Sequence, residues 1–242
     1  IGSEAFKNCQ SLKEYSITGN VSSVGKSAFE GCTSLVAMIF PNNVKELGKG
    51  IFKNCTALTS ISIGAGISYL PWIFEGCTNL SDIRIEDSYS ILTFEYTGKQ
   101  TFSTNYDGGY CKDWEYNYYP SSAMFRNKNF KNVYIGRNLT TQAYRFKEYY
   151  QSGAYSLEYY YYIPNPPFSE SRIESLIIGH LVSDLRMYKY VETRVPEVFA
   201  IGVWNGAFQN CTNLDSVAIF STATNIPENT FNGCNSIESL EI

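Results

Sequence analysis

Cysteine, histidine and closely spaced carboxylates are the residues from which a metal centre or an activated nucleophile would be built. This chain has seven cysteines and one histidine. Six of the cysteines (Cys9, Cys32, Cys55, Cys77, Cys211 and Cys234) hold one place, three residues after a phenylalanine. Zinc sites want Cys-x-x-Cys or His pairs, and neither is present. A position that returns at a fixed interval stacks on itself, and a free cysteine inside such a stack behaves as a small hydrophobe. The six thiols therefore read as a buried column rather than a disulfide framework, which an odd number would leave with one unpaired member. Cys111 stands outside the pattern and its role is open. His180 follows Ile178-Gly179 at the end of a strand pattern and reads as a rim residue, exposed or locally hydrogen-bonded. Asp113 and Glu115 are spaced as paired acids, but the sequence shows no environment that would make one of them a general acid. Phosphate loops, H-E-x-x-H and nucleophile elbows are all missing. The expectation is a protein that is not an enzyme and holds no metal or cofactor.

Aromatic side chains offer a different chemistry, that of recognition. Sixteen of the twenty tyrosines lie in three windows, 93–122, 143–166 and 186–206. Tyrosine combines a large contact area, few rotatable bonds and a polar tip. The candidate ligand-binding residues are Tyr110, Trp114, Tyr116, Tyr118 and Tyr119 in the first window, Tyr159, Tyr160, Tyr161 and Tyr162 in the second, and Trp204 in the third. Two readings stand side by side: rings that fold back to shield the scaffold with their hydroxyls at the surface, and a binding patch. Asp107-Gly108-Gly109 reads as a tight turn between aromatic arms, and the alternation at Glu115-Tyr116-Asn117-Tyr118 and at 155–159 suits a small hairpin.

The scaffold that positions these windows is a repeat. Ala28-Phe29-Glu30-Gly31-Cys32 recurs around Phe6, Phe52, Phe74, Phe208 and Phe231, with Phe-to-Phe spacings of 23, 23 and 22 residues and again 23 at the end. Such a period signals a solenoid. Within one coil, Leu12, Tyr15 and Ile17 alternate with polar residues as in a short half-buried strand. Apolar residues follow four and seven positions after each strand, for example Val44 and Leu47. The segment through the Phe is long enough for one α- or 3₁₀-turn. Before each Cys stands Asn8, Gly31, Asn54, Gly76, Asn210 or Gly233, residues that tolerate left-handed backbone and so cap the turn.

These residues resemble the BspA-type (Treponema-type) leucine-rich repeat and its I-G-x-x-A-F-x-x-C-x-x-L signature, over 1–85 and 207–242. The resemblance implies an α/β solenoid with a parallel sheet on its concave face and short helical turns opposite. It implies attachment to host or matrix proteins, or to other cells, from an extracellular or cell-surface location. The expected organisation is one solenoid over 1–242, with regular coils at 1–92 and 207–242. The strand frame returns at Phe130-Val133-Ile135 and Ile173-Leu176-Ile178, and the plus-four and plus-seven places at Tyr89 and Leu92, Leu139 and Gln142, and Val182 and Leu185. Two degenerate coils thus fill 93–206, making at least eight in all. The three windows hold 30, 24 and 21 residues where a regular coil has three, so they are insertions at one point of adjacent coils. Insertions at one point emerge on one side of a solenoid, often its binding face.

The formal charge of −4 argues against a nucleic-acid footprint, and no apolar run is long enough to insert in a membrane. The outward strand residues (Glu14, Ser16, Ala37, Ile39, Ser60, Ser62, Asp82, Arg84, Asn132, Tyr134, Ser175, Ile177, Ser216 and Ala218) are mixed and single out no site. Asn138-Leu139-Thr140 is a glycosylation sequence with an accessible look. The chain opens and stops inside a repeat, which predicts a longer parent. A protein ligand is the expected partner, with a glycan held by the aromatic insertions, or a spacer without ligand, as the alternatives.

Overall fold

Alternating apolar residues close each coil with a strand that buries one face. The computed structural model describes residues 1–95, 103–104, 114–115, 124–125, 127–141, 166–185 and 206–242. One parallel sheet runs through it in the order β2 (Ala37–Phe40), β4 (Ser60–Ile63), β6 (Asp82–Ile85), β10 (Asn129–Ile135), β12 (Arg172–Ile178), β13 (Ser216–Ile219) and β14 (Ser239–Glu241). The register places Met38, Ile61, Ile83, Val133, Leu176 and Val217 in one row, all buried. Ile63, Ile85, Ile135 and Ile178 make a second buried row. At roughly 1.5–3 kcal/mol for each buried aliphatic side chain, these rows hold the coils in register. Residues 12–17, expected as a further strand, form no ladder. Leu12, Tyr15 and Ile17 are only half-buried against the core.

The plus-four and plus-seven residues make short strands of their own. β1 (Ser23–Val24) pairs with β3 (Glu46–Leu47), and β5 (Tyr69–Leu70), β7 (Leu92–Phe94) and β11 (Leu139–Thr141) pair in parallel. The expectation for Tyr89 fails. Tyr89 is 90% exposed, and Leu92 pairs with Leu139 while Phe94 pairs with Leu70. The coil after β6 therefore carries two extra residues before the one that pairs with Leu70. The spare length has an occupant. Arg137, with no exposed surface, donates from Nη2 to Gly64 O (3.0 Å) and from Nη1 to Ala65 O (3.1 Å) and Ser90 Oγ (3.3 Å). It reaches past the intervening coil to do so.

No helix occurs among the described residues, so the expected helical turn is absent, and the backbone bonding explains why. Ser27, Phe29 and Gly31 give their N–H groups to Lys49, Ile51 and Lys53 of the next coil. Only Glu30 and Cys32 bond three residues back, to Ser27 and Phe29. Alternate amides spent between coils cannot also close i→i−4 bonds. The residue two places after the Phe is left-handed in every described turn. It is Asn8, Gly31, Asn54, Gly76, Asn127, Glu170, Asn210 or Gly233, so Asn127 and Glu170 bring the two irregular coils into the same geometry.

Inside the turns the phenylalanines form one column. Phe6, Phe29, Phe52, Phe74, Phe125, Phe168, Phe208 and Phe231 follow one another with ring centroids 4.8–6.5 Å apart. The thiols of Cys32, Cys55, Cys77, Cys211 and Cys234 stack beside them and hydrogen-bond to the previous coil. Cys9, expected in the buried column, is exposed because its coil is the first and has none before it, and Cys234 is half-buried. Cys32, Cys55 and Cys77 donate to the carbonyls of Phe6, Phe29 and Phe52 at 3.1, 3.0 and 3.0 Å. Lys128 and Ser171 take the cysteine place in the two irregular coils, and the Ser171 hydroxyl lies 3.6 Å from Cys211 Sγ. Burial pushes the Cys55 thiol up to about 12 and the Cys77 thiol up to about 11, from an ordinary 9.0.

That shift fixes a pH dependence. Above pH 9 thiols of the unfolded chain ionise while these two stay protonated, so the folded state holds more protons. Stability must then fall as pH rises from about 9 toward 11, by about 1.4 kcal/mol per pH unit for each thiol. Urea unfolding at pH 8 and pH 10 should show the loss, and Cys55→Ala should shrink it. An equal slope in the variant would contradict the buried-thiol account.

Candidate functional site

The described residues at the roots of the three Tyr-rich windows are Glu95, Thr141 and Leu185 before them and Met124, Pro166 and Gly206 after them, the latter three just before the phenylalanine turn. The coils involved are neighbours, because β10, β12 and β13 are adjacent in the sheet. The roots are tied down. Glu95 donates its N–H to Leu70 O (2.9 Å), and its carboxylate accepts the Trp72 N–H (2.8 Å) and pairs with Lys49. On the return side Pro166, Pro167 and Gly206 are buried, and Phe125 N–H bonds to Pro167 O at 3.0 Å. Within the first insertion β8 (Ser103–Thr104) pairs antiparallel with β9 (Trp114–Glu115), a hairpin pairing that joins Thr104 to Trp114.

Of the sequence-derived candidates, Trp114 stands in β9. Tyr110, Tyr116, Tyr118, Tyr119, Tyr159, Tyr160, Tyr161, Tyr162 and Trp204 lie outside the described residues, as do Asp107-Gly108-Gly109, Cys111, Asp113, Gln142 and residues 155–158. His180 is exposed at the sheet rim, its ring 5.6 Å from that of Phe220. Asn138 is not the open acceptor its sequence suggests. Its amide donates to Ser183 Oγ (2.8 Å) and its Oδ1 accepts the N–H groups of Ser183 and Asp184.

The sheet face holds a cluster that reading the strands one at a time missed. The register sets Arg84 beside Tyr134, with the guanidinium 3.8 Å from the ring centroid. Tyr134 donates its hydroxyl to both oxygens of Asp87, at 2.8 and 3.0 Å. Burial, and then the bond to Asp87, raises its pKa above 10.0. Arg84 Nε bonds to Glu86, which also accepts from Ser62 Oγ at 2.6 Å, and Asn132 donates to Asp82 at 2.7 Å. Gly179 makes room for this, since a Cβ there would sit 2.7 Å from the Tyr134 hydroxyl. In the register Ser62 stands beside Arg84 and the partly exposed Ile177 beside Tyr134, and the hydrogen bonds above hold the side chains of the cluster in place. Among the described residues of the sheet face, this cluster does not bring together a nucleophile, a base and an oxyanion donor. No group of metal-ligating side chains is found among the described residues, and no described helix is long and apolar enough to cross a membrane.

The family description "BspA type Leucine rich repeat region" matches in six copies over residues 1–107 and 200–242. The chain belongs to the BspA-type leucine-rich repeat family. Among solved structures, the T. pallidum leucine-rich repeat protein is 35% identical, with 38% of this chain and 44% of that one covered, at a TM-score of 0.35. The BspA-type chain thus spans less than half the length of that relative. A leucine-rich repeat protein of Bacteroides ovatus is 15% identical over 99% of this chain and 75% of its own, with a TM-score of 0.31. A leucine rich cell surface protein of Faecalibacterium prausnitzii is 14% identical over 91% and 83%, with a TM-score of 0.19. Comparison with curated proteins gives no match.

Proposed function

We propose that this BspA-type chain is a single solenoid acting as a non-catalytic binding module of an extracellular or cell-surface protein, and that its three Tyr-rich insertions contact a protein ligand of host or matrix origin. The observation that carries this reading is the placement of the roots. The described residues that flank the three Tyr-rich windows belong to adjacent coils of one sheet, and neighbouring coils are only about 4.8 Å apart. A stretch that concentrates tyrosine and tryptophan on a rigid scaffold suits recognition with little ordering cost. A leucine-rich repeat of this family supplies such a scaffold.

Removing 96–121, 143–163 and 187–204 leaves each coil with the connection length of a regular one. Binding of this shortened chain to intact cells and to immobilised matrix proteins should be lost, while the full chain binds. Binding that survives would transfer the ligand to the sheet face, where Arg84→Ala and Tyr134→Ala would then abolish it. Retention on a glycan array but not on matrix proteins would favour a sugar ligand.

A further inference from the structure

The left-handed cap does more than end each turn. Asn8, Asn54 and Asn210 are each followed, one coil on, by Gly31, Gly76 and Gly233. A Cβ built on Gly31 would lie 2.3 Å from Asn8 Oδ1, one on Gly76 2.3 Å from Asn54 Oδ1, and one on Gly233 2.2 Å from Asn210 Oδ1. The asparagine side chain therefore occupies the space that a side chain of the next coil would need. The preceding residue alternates as well. Lys7 pairs with Glu30 at 3.6 Å and Lys53 with Glu75 at 2.9 Å, each lysine from a coil with Asn and each glutamate from a coil with Gly.

We propose that these coils are built on a two-coil unit, in which the face of an Asn-capped coil accepts a Gly-capped coil as its successor, so that each coil surface selects the kind of coil that docks on it. Exposed ion pairs contribute little, so the Asn-over-Gly contact carries the selection and the Lys–Glu pairs accompany it.

The irregular middle supplies a natural comparison. Asn127 is followed by Glu170, which has a Cβ. At regular interfaces the cap N–H bonds to the residue just before the next cap: Asn8 to Glu30 O and Asn54 to Glu75 O, both at 2.7 Å, and Asn210 to Asn232 O at 2.8 Å. Asn127 N–H instead bonds to the O of Glu170, the cap residue itself, at 3.1 Å. At this interface the cap amide is displaced by one residue, while the Phe125 N–H keeps the regular bond, to Pro167 O.

The selection can be read by urea unfolding of the full chain. Gly31→Ala should lower the midpoint more in the native Asn8 background than with Asn8→Gly, where only the left-handed strain of alanine is left. A second measurement uses the deletion of residues 31–53, one coil, which brings Asn54 onto Asn8. Asn54→Gly should raise the midpoint of that shortened chain and lower that of the full chain. Equal drops for Gly31→Ala in both backgrounds would overturn the proposal, whether or not the deletion folds. So would an Asn54→Gly effect of the same sign in both chains.

Discussion

Phe125→Ala is expected to remove about 4 kcal/mol of stability, near the top of the range for single substitutions. Phe125 has no exposed surface and sits where the irregular coils join the regular ones. Its ring lies 5.7 Å from Phe74, 4.8 Å from Phe168, 5.3 Å from Phe130 and 6.0 Å from Phe94. Truncation opens a cavity that the hydrogen-bonded strands on either side cannot collapse into. It also interrupts the column between Phe74 and Phe168, and solenoid stability is a sum over such neighbour contacts. Urea unfolding should show a midpoint shift of that size. A loss below about 1 kcal/mol would mean that the middle coils do not transmit packing from one half to the other.

Arg137→Ala is the second large effect. The guanidinium is buried without an anion against it. Desolvation lowers its pKa from 12.5 to about 10, against a weaker upward pull from Glu86. That depression corresponds to a cost of about 3 kcal/mol for keeping the charge inside. Three hydrogen bonds from a charged donor, at about 2 kcal/mol each, outweigh it, and removal takes this donor from the part-buried Ala65 O and leaves Gly64 O to the Ile67 N–H. The net loss should be about 3 kcal/mol, with Arg137→Met losing less because it refills the channel. An unchanged midpoint for Arg137→Ala would show that the carbonyls find other donors.

Much of this architecture was legible because each coil repeats its constraints. Phe29, Gly31 and Cys32 have the same neighbours as Phe52, Asn54 and Cys55, so one coil read correctly explains the rest. The strand frame carried through 130–135 and 173–178 for the same reason, since alternation survives when the cap and thiol positions have drifted to Asn127-Lys128 and Glu170-Ser171. Three features resisted. The helical expectation for 26–30 counted residues but not donors, and the donors are spent on the next coil. Tyr89 looked like a core residue at its expected offset, because nothing in the local pattern shows that Arg137, nearly fifty residues on, needs the space. Arg84, Tyr134 and Asp87 appeared unremarkable singly, because their pairing depends on register between strands on either side of an insertion. The tyrosine windows stood out by composition alone, and composition marks a surface for recognition without saying which rings face a ligand.

The central claim is that residues 124–141 and 166–185 are full coils of one solenoid, with the insertions as additions to it. Unfolding of the chain lacking 96–121, 143–163 and 187–204, followed by circular dichroism in urea, tests that claim directly. A single cooperative transition, with a midpoint no lower than that of the full chain, is the predicted result. Two separate transitions, or a chain that no longer folds, would contradict it.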